Sequence, residues 1–230
     1  MLARVVPFVI FLGLTFCQGQ FGEASRYWFY LAKTIVGAWL IWSVWPLVEE
    51  MRWKFSWEAV VVGVGVCAIW VGLDGYYPTL DEIIRKVGLS DLLKKLGLSS
   101  EKSILPWNPH LQFGEGSSLA WLFVVTRIAG SAIIVPPLEE VFYRSFLYRY
   151  IAQADFQSVP LGQFAWMPFL LTAVIFGFVH PQWLAGILCA FAYQGLVCWK
   201  KRLGDAMTAH AITNFLLGLW LVWKGAWQFW

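Results

Sequence analysis

The sequence predicts an all-α, polytopic integral membrane bundle of about eight transmembrane helices with an amphipathic surface-helix excursion. Three observations carry this expectation. Hydrophobic residues make up 59% of the 230 and charged residues only 13%, about half the share usual in soluble domains, so the chain has too few polar groups to cover itself in water. Apolar stretches of near-spanning length recur along it. The chain also holds 16 Trp, a residue favoured where an apolar body and a polar tip meet the membrane interface.

The expected spans, in order, are Leu2 to Phe16, Trp28 to Val48, Trp57 to Leu73, Ser118 to Leu138, Glu139 to Ile151, Phe164 to His180, Trp183 to Trp199 and Ala206 to Trp223. The first is short, and Arg4 followed by Val5 to Phe16 also has the form of a signal peptide. Phe16 stands before Cys17 where processing needs a small residue, so an uncleaved first span is expected. The fifth span is short and charged. Pro136 and Pro137 before it suit the start of a new helix.

Residues 76–117 form the long polar excursion. Leu80, Ile83, Ile84, Val87, Leu92, Leu93 and Leu96 recur there at helical spacing among Lys86, Lys94 and Lys95, and Gly88 and Gly97 look like helix stops. One or two helices lying on the membrane, or a small extramembrane hairpin, fit that pattern. No domain boundary is visible, so residues 1–230 read as one membrane domain with a core at 118–223. Eight spans with the observed Lys and Arg would leave both termini outside, because Arg26 and Lys200 to Arg202 then share the cytoplasmic side.

A net charge of +3 with no basic stripe argues against nucleic acid as a partner. Lys200, Lys201 and Arg202 read as a membrane-flanking cluster. Cys17, Cys67, Cys189 and Cys198 lack disulfide or zinc spacing and read as small apolar residues. His110 reads as a solvated loop residue.

Ionisable groups inside apolar segments are costly and are functional candidates by default. They are Arg127, Glu139, Glu140, Arg144, His180 and His210, joined by the polar Asn214. Glu140 and Arg144 stand four apart on one helix face and can pair, either for function or as a buried ion pair that specifies the fold. Glu139 points about 100° away and has no local partner, which leaves it free to face a cavity. Phe176 lies one turn before His180, on the same face, and a His there can also be a plain helix-end cap. His210 and Asn214 are four apart, in a helix opening at Gly204 with Asp205 as its N-cap. Arg127 fits no motif; pairing with a carboxylate across helices and snorkelling to the interface are both open to it.

One unpaired carboxylate, two His and one carboxamide on separate helices suit water-mediated peptide hydrolysis. A desolvated glutamate serves as general base, a neighbouring His holds the water, and a His and an Asn donate to the oxyanion. Helices must enclose such groups around a wet pocket.

Glu139-Glu140-x-x-x-Arg144, Phe176-x-x-x-His180 and His210-x-x-x-Asn214, in that order, resemble the three motifs of the CPBP intramembrane protease family, the type II CAAX prenyl endopeptidases and their bacterial relatives. The resemblance covers about Ser118 to Trp223. It implies that Glu139 activates water with help from His180, that His210 and Asn214 stabilise the oxyanion, and that Glu140, Arg144 and Phe176 support the site. It implies no required metal or other cofactor, although Glu139, His180 and His210 are three residues of ligand type. Trp70 to Pro78 and the aromatic tail are similar to an exosortase-associated bacterial subgroup. The expected location is the membrane, in bacteria the inner (plasma) membrane, and the expected partners are the lipid bilayer and a membrane-anchored or lipidated protein substrate. Two other functions compete: a non-enzymatic immunity or assembly factor that keeps the polar network, and a transporter or proton relay, against which no matched half-repeats appear.

Overall fold

The computed structural model describes all residues except Gly19 and 91–105. Leu92, Leu93, Leu96, Gly97, Lys94 and Lys95 of the excursion therefore lie outside the described residues.

Every regular element among the described residues is a helix, and none is a strand. They form α1 (Leu2–Phe16), α2 (Ser25–Val44), α3 (Trp57–Gly72), α4 (Leu80–Lys86), α5 (Pro109–Phe113), α6 (Ser118–Ala152), α7 (Trp166–Phe178), α8 (Trp183–Lys200) and α9 (Gly204–Lys224). Hydroxyl caps start several of them. Ser56 accepts from the Ala59 amide, Ser117 from the Ala120 amide, and Thr79 and Glu82 form a reciprocal capping box on α4. Asp205 is not the N-cap of α9. It lies inside the first turn, and its carboxylate takes Arg202 and the Ser56 hydroxyl instead.

The bundle buries several charged side chains in an otherwise apolar core and leaves large apolar side chains on its outside. On α2, Lys33 and Arg26 are buried, whereas Trp39 and Trp42 are 59% and 74% exposed. Only lipid makes that arrangement favourable. Helices α6, α8 and α9 are long and apolar enough to cross a membrane, with α1, α3 and α7 shorter but apolar. The chain is an integral membrane protein.

Expected spans four and five are one helix. Pro136 and Pro137 do not begin a new one, because the chain tightens into a π turn at Gly130–Ile134 just before them. The Val135 amide there reaches back to the Gly130 carbonyl, five residues away, and the prolines follow without a break. A second π turn, Val141–Leu147, carries Arg144. The 35 residues of α6 run about 52 Å, well beyond a bilayer core of ~30 Å.

Fusing the two spans changes the topology. Seven helices of 13 residues or more (α1, α2, α3 and α6 to α9) build the described bundle, three of them long and apolar enough to cross a membrane. Arg149, Lys201 and Arg202 line one cavity with Arg4, Arg52 and Lys54, so they do not share an end with Arg26. The other end holds Trp230 packed against Trp107, which itself stacks on Tyr27. The two termini thus lie at opposite ends of the bundle, not on one side.

Helices α7 and α8 meet backbone to backbone. A Cβ on Gly177 would clash with Ile187 Cγ1 and stand 2.7 Å from the Trp183 carbonyl, and one on Gly186 would stand 2.9 Å from the Gly177 Cα. Small residues at both positions let the helices approach. Gly177→Ala is expected to destabilise the protein by about 1–3 kcal/mol through forced separation of the pair. Thermal unfolding in detergent checks this, with Gly195→Ala, where a Cβ meets nothing within 4 Å, as the neutral control.

Candidate active site

Four helices bring the motif residues together. α6 supplies Glu139, Glu140 and Arg144, the end of α7 supplies Phe176 and His180, α9 supplies His210 and Asn214, and α8 supplies Tyr193.

Glu140 is the fixed carboxylate. It is fully buried, its Oε1 lies 2.9 Å from His210 Nδ1, and its Oε2 lies 3.2 Å from Arg144 Nε. The Arg144 contact is an off-axis ion pair rather than a directed hydrogen bond, and the guanidinium nitrogens make no hydrogen bond among the described residues. Aromatic faces hold the cation instead. Its carbon sits 4.5 Å from the Phe176 ring centroid, 5.6 Å from that of Tyr143 and 5.9 Å from that of Tyr193.

Glu139 is the free carboxylate. It is half-buried, and its Oε2 is buried with no hydrogen-bond partner among the described residues. It lies close enough to His180 and to Lys33 to act on both electrostatically. An acceptor without a donor and an arginine with unused donors therefore come from one stretch of α6.

Phe176 is the hub between the histidines. Its ring centroid lies 4.8 Å from that of His180 and 6.4 Å from that of His210. His180 follows the end of α7. Its Nδ1–H donates to the Phe176 carbonyl at 2.8 Å, which leaves Nε2 with the lone pair in the neutral ring. Trp70 of α3 closes on it edge-on at 5.5 Å. Tyr193 stacks on His210 at 5.1 Å, and its hydroxyl donates to Thr213, which donates in turn to carbonyls of Gly63 and Ala209.

Asn214 does something its spacing from His210 did not suggest. Its Nδ2 donates to the Ser131 carbonyl at 2.8 Å. In the π register that carbonyl would take the amide of residue 136, and residue 136 is proline. Asn214 thus satisfies the acceptor that Pro136 orphans, with its second N–H left for other use. Asn214→Leu is expected to cost about 1–3 kcal/mol of stability besides any effect on activity. Asn214→Asp, which can turn only acceptors toward that carbonyl, should cost at least as much. Denaturation of the two variants in detergent checks this.

The sequence reading missed Lys33, although it is a charge inside an expected span. Its ammonium is buried, donates to Thr15 Oγ1 at 3.0 Å and lies over the Phe11 and Tyr30 rings. Among the described residues Arg127 has no carboxylate partner. It sits 4.5 Å from both the Tyr30 and Trp107 ring centroids and 5.6 Å from that of Trp230. His110 is half-buried at the surface; it packs on Trp121 and accepts the Gly116 amide. Among the described residues no three His, Cys, Asp or Glu side chains gather into a set that could hold a metal ion.

Residues 117–216 match the family model for the Type II CAAX prenyl endopeptidase Rce1-like proteins. This segment, 100 of the 230 residues, is similar to that family. The match begins at the N-cap of α6 and ends just past Asn214, so it takes in every motif residue described above. Comparison with the curated proteins and with the solved structures gives no match. The family is one of intramembrane CAAX proteases.

Proposed function

We propose that the chain is an intramembrane endopeptidase that hydrolyses a peptide bond in a membrane-anchored or lipidated protein, in a bacterial inner membrane, with Glu139 as the base that activates water. One observation supports this most: of two adjacent embedded carboxylates, Glu140 is tied to both Arg144 and His210, while Glu139 keeps a buried oxygen without a partner.

Each residue has a task. Glu139 takes a proton from a water, which attacks the carbonyl carbon of the scissile peptide. His180, with Nδ1–H committed to Phe176, turns Nε2 toward that water and helps orient it. His210 donates through Nε2–H to the oxyanion when its ring is protonated, with Nδ1–H held by Glu140. The spare N–H of Asn214 is a second donor. The proton taken by Glu139 then passes to the leaving amine, and the C–N bond breaks. No step routes through a metal.

The alternative is a non-catalytic membrane factor with a structural polar network. Thermal unfolding separates the two. In an enzyme, Glu139→Gln leaves stability unchanged or raised, because an unpartnered carboxylate in an apolar site is costly. In a structural network, Glu139→Gln and His180→Ala both lower it, which would overturn the catalytic assignment.

A further inference from the structure

The Arg4 end of the bundle holds a cavity of about 490 Å³, within the size range of small-ligand sites. Arg4, Arg52, Lys54, Arg149, Lys201 and Arg202 line it, against only Glu49 and Glu50. None of Glu139, His180, His210 and Asn214 takes part. Leu203 lines the cavity just before α9, and the fully buried Ala206 and Met207 lie along α9 between it and His210.

Part of this positive charge is committed. Glu50 accepts two hydrogen bonds from Arg4, at 2.7 and 2.9 Å, and lies 3.5 Å from Arg149. Arg202 is paired with Asp205. Arg52 and Lys201 spend a donor on backbone carbonyls, of Glu49 and Gly162, which leaves their charge uncompensated. Among the described residues neither these two nor Lys54 has a carboxylate partner. Three cations thus share one open cavity with a single remaining carboxylate, Glu49, over a scaffold that is itself one charge in excess, since Glu50 answers two guanidinium groups.

The surroundings indicate what anion comes there. Arg52 and Lys54 alternate with Trp53, Phe55 and Trp57, all exposed, and Leu47 is exposed beside them. Exposed aromatics next to basic groups at a bundle end mark the depth of lipid headgroups. We propose that this cavity binds the phosphate of an anionic phospholipid headgroup. The phosphate oxygens take Arg52, Lys54 and Lys201, and the acyl chains run down the outer face past Trp53 and Phe55.

The test uses the full chain purified in detergent, its unfolding followed by Trp fluorescence while dihexanoyl-phosphatidylglycerol is added. Dihexanoyl-phosphatidylcholine and inorganic phosphate, at matched ionic strength, are the other arms. The expected result is a saturable rise in unfolding temperature with phosphatidylglycerol alone. That rise should need roughly a hundredfold more lipid in Arg52→Gln/Lys54→Gln/Lys201→Gln, at about 1 kcal/mol per basic group. If the triple variant unfolds at a much lower temperature without lipid, Lys54→Gln alone serves, with a shift of about fivefold expected. Equal stabilisation by phosphatidylcholine, stabilisation by inorganic phosphate as strong as by the lipid, or an unchanged response in the variants would each overturn the proposal.

Discussion

Glu139→Gln is expected to lower peptide hydrolysis by roughly a thousandfold while the protein still inserts and folds, because a positioned general base contributes about 10²–10⁴. Gln keeps the size and the hydrogen-bonding reach of Glu and removes only the proton acceptor. The residue has little structural work to lose. Its Oε2 has no partner among the described residues, and its neighbour Glu140 carries the ion pair. Rate measurement on purified protein in liposomes, beside the unfolding curve, checks both halves. A loss of rate that merely tracks a loss of folded protein would count against a catalytic role.

Arg144→Gln is expected to be the most damaging single change to stability, at about 3–5 kcal/mol, because it strands the buried Glu140 charge. Arg144 is 1% exposed and lies on Phe176, so packing is lost with the charge. The double variant Glu140→Gln/Arg144→Gln should recover part of the loss, since neither charge is then left alone. Arg144→Lys restores the charge but not the flat face that stacks on Phe176, and should fall between. Unfolding of the three variants in one detergent measures this. No recovery in the double variant would mean that Arg144 acts through packing alone.

The polar residues of the candidate site were legible in the sequence because lipid makes them so. Polar residues that no surface requires stand out in apolar stretches, and Glu139, Glu140, Arg144, His180, His210 and Asn214 are found on that ground alone. Helical spacing also led correctly to the Glu140–Arg144 pair and to Phe176 beside His180, both contacts within one local segment.

What spacing cannot carry is contact between distant segments. Glu140 and His210 are 70 residues apart, and Asn214 and Ser131 are 83 apart. The Asn214 bond follows only once the π turn before Pro136 is seen, and a proline read by its local preference predicts a helix start instead. That one misreading divided α6, added a span and moved Lys200 to Arg202 to the wrong end. Arg127 was found as a charge, but its aromatic box draws on Tyr30, Trp107 and Trp230 from three separate segments. Lys33 could have been found, since an ammonium in an apolar helix meets the criterion applied to the others.

The most direct measurement is a terminus-resolved membrane proteome of the native host, comparing wild type with chromosomal Glu139→Gln at equal abundance of the protein. The catalytic account predicts that one or a few membrane proteins keep longer, uncut ends in the variant. Identical ends in the two strains, together with a phenotype on deleting the gene, would contradict it.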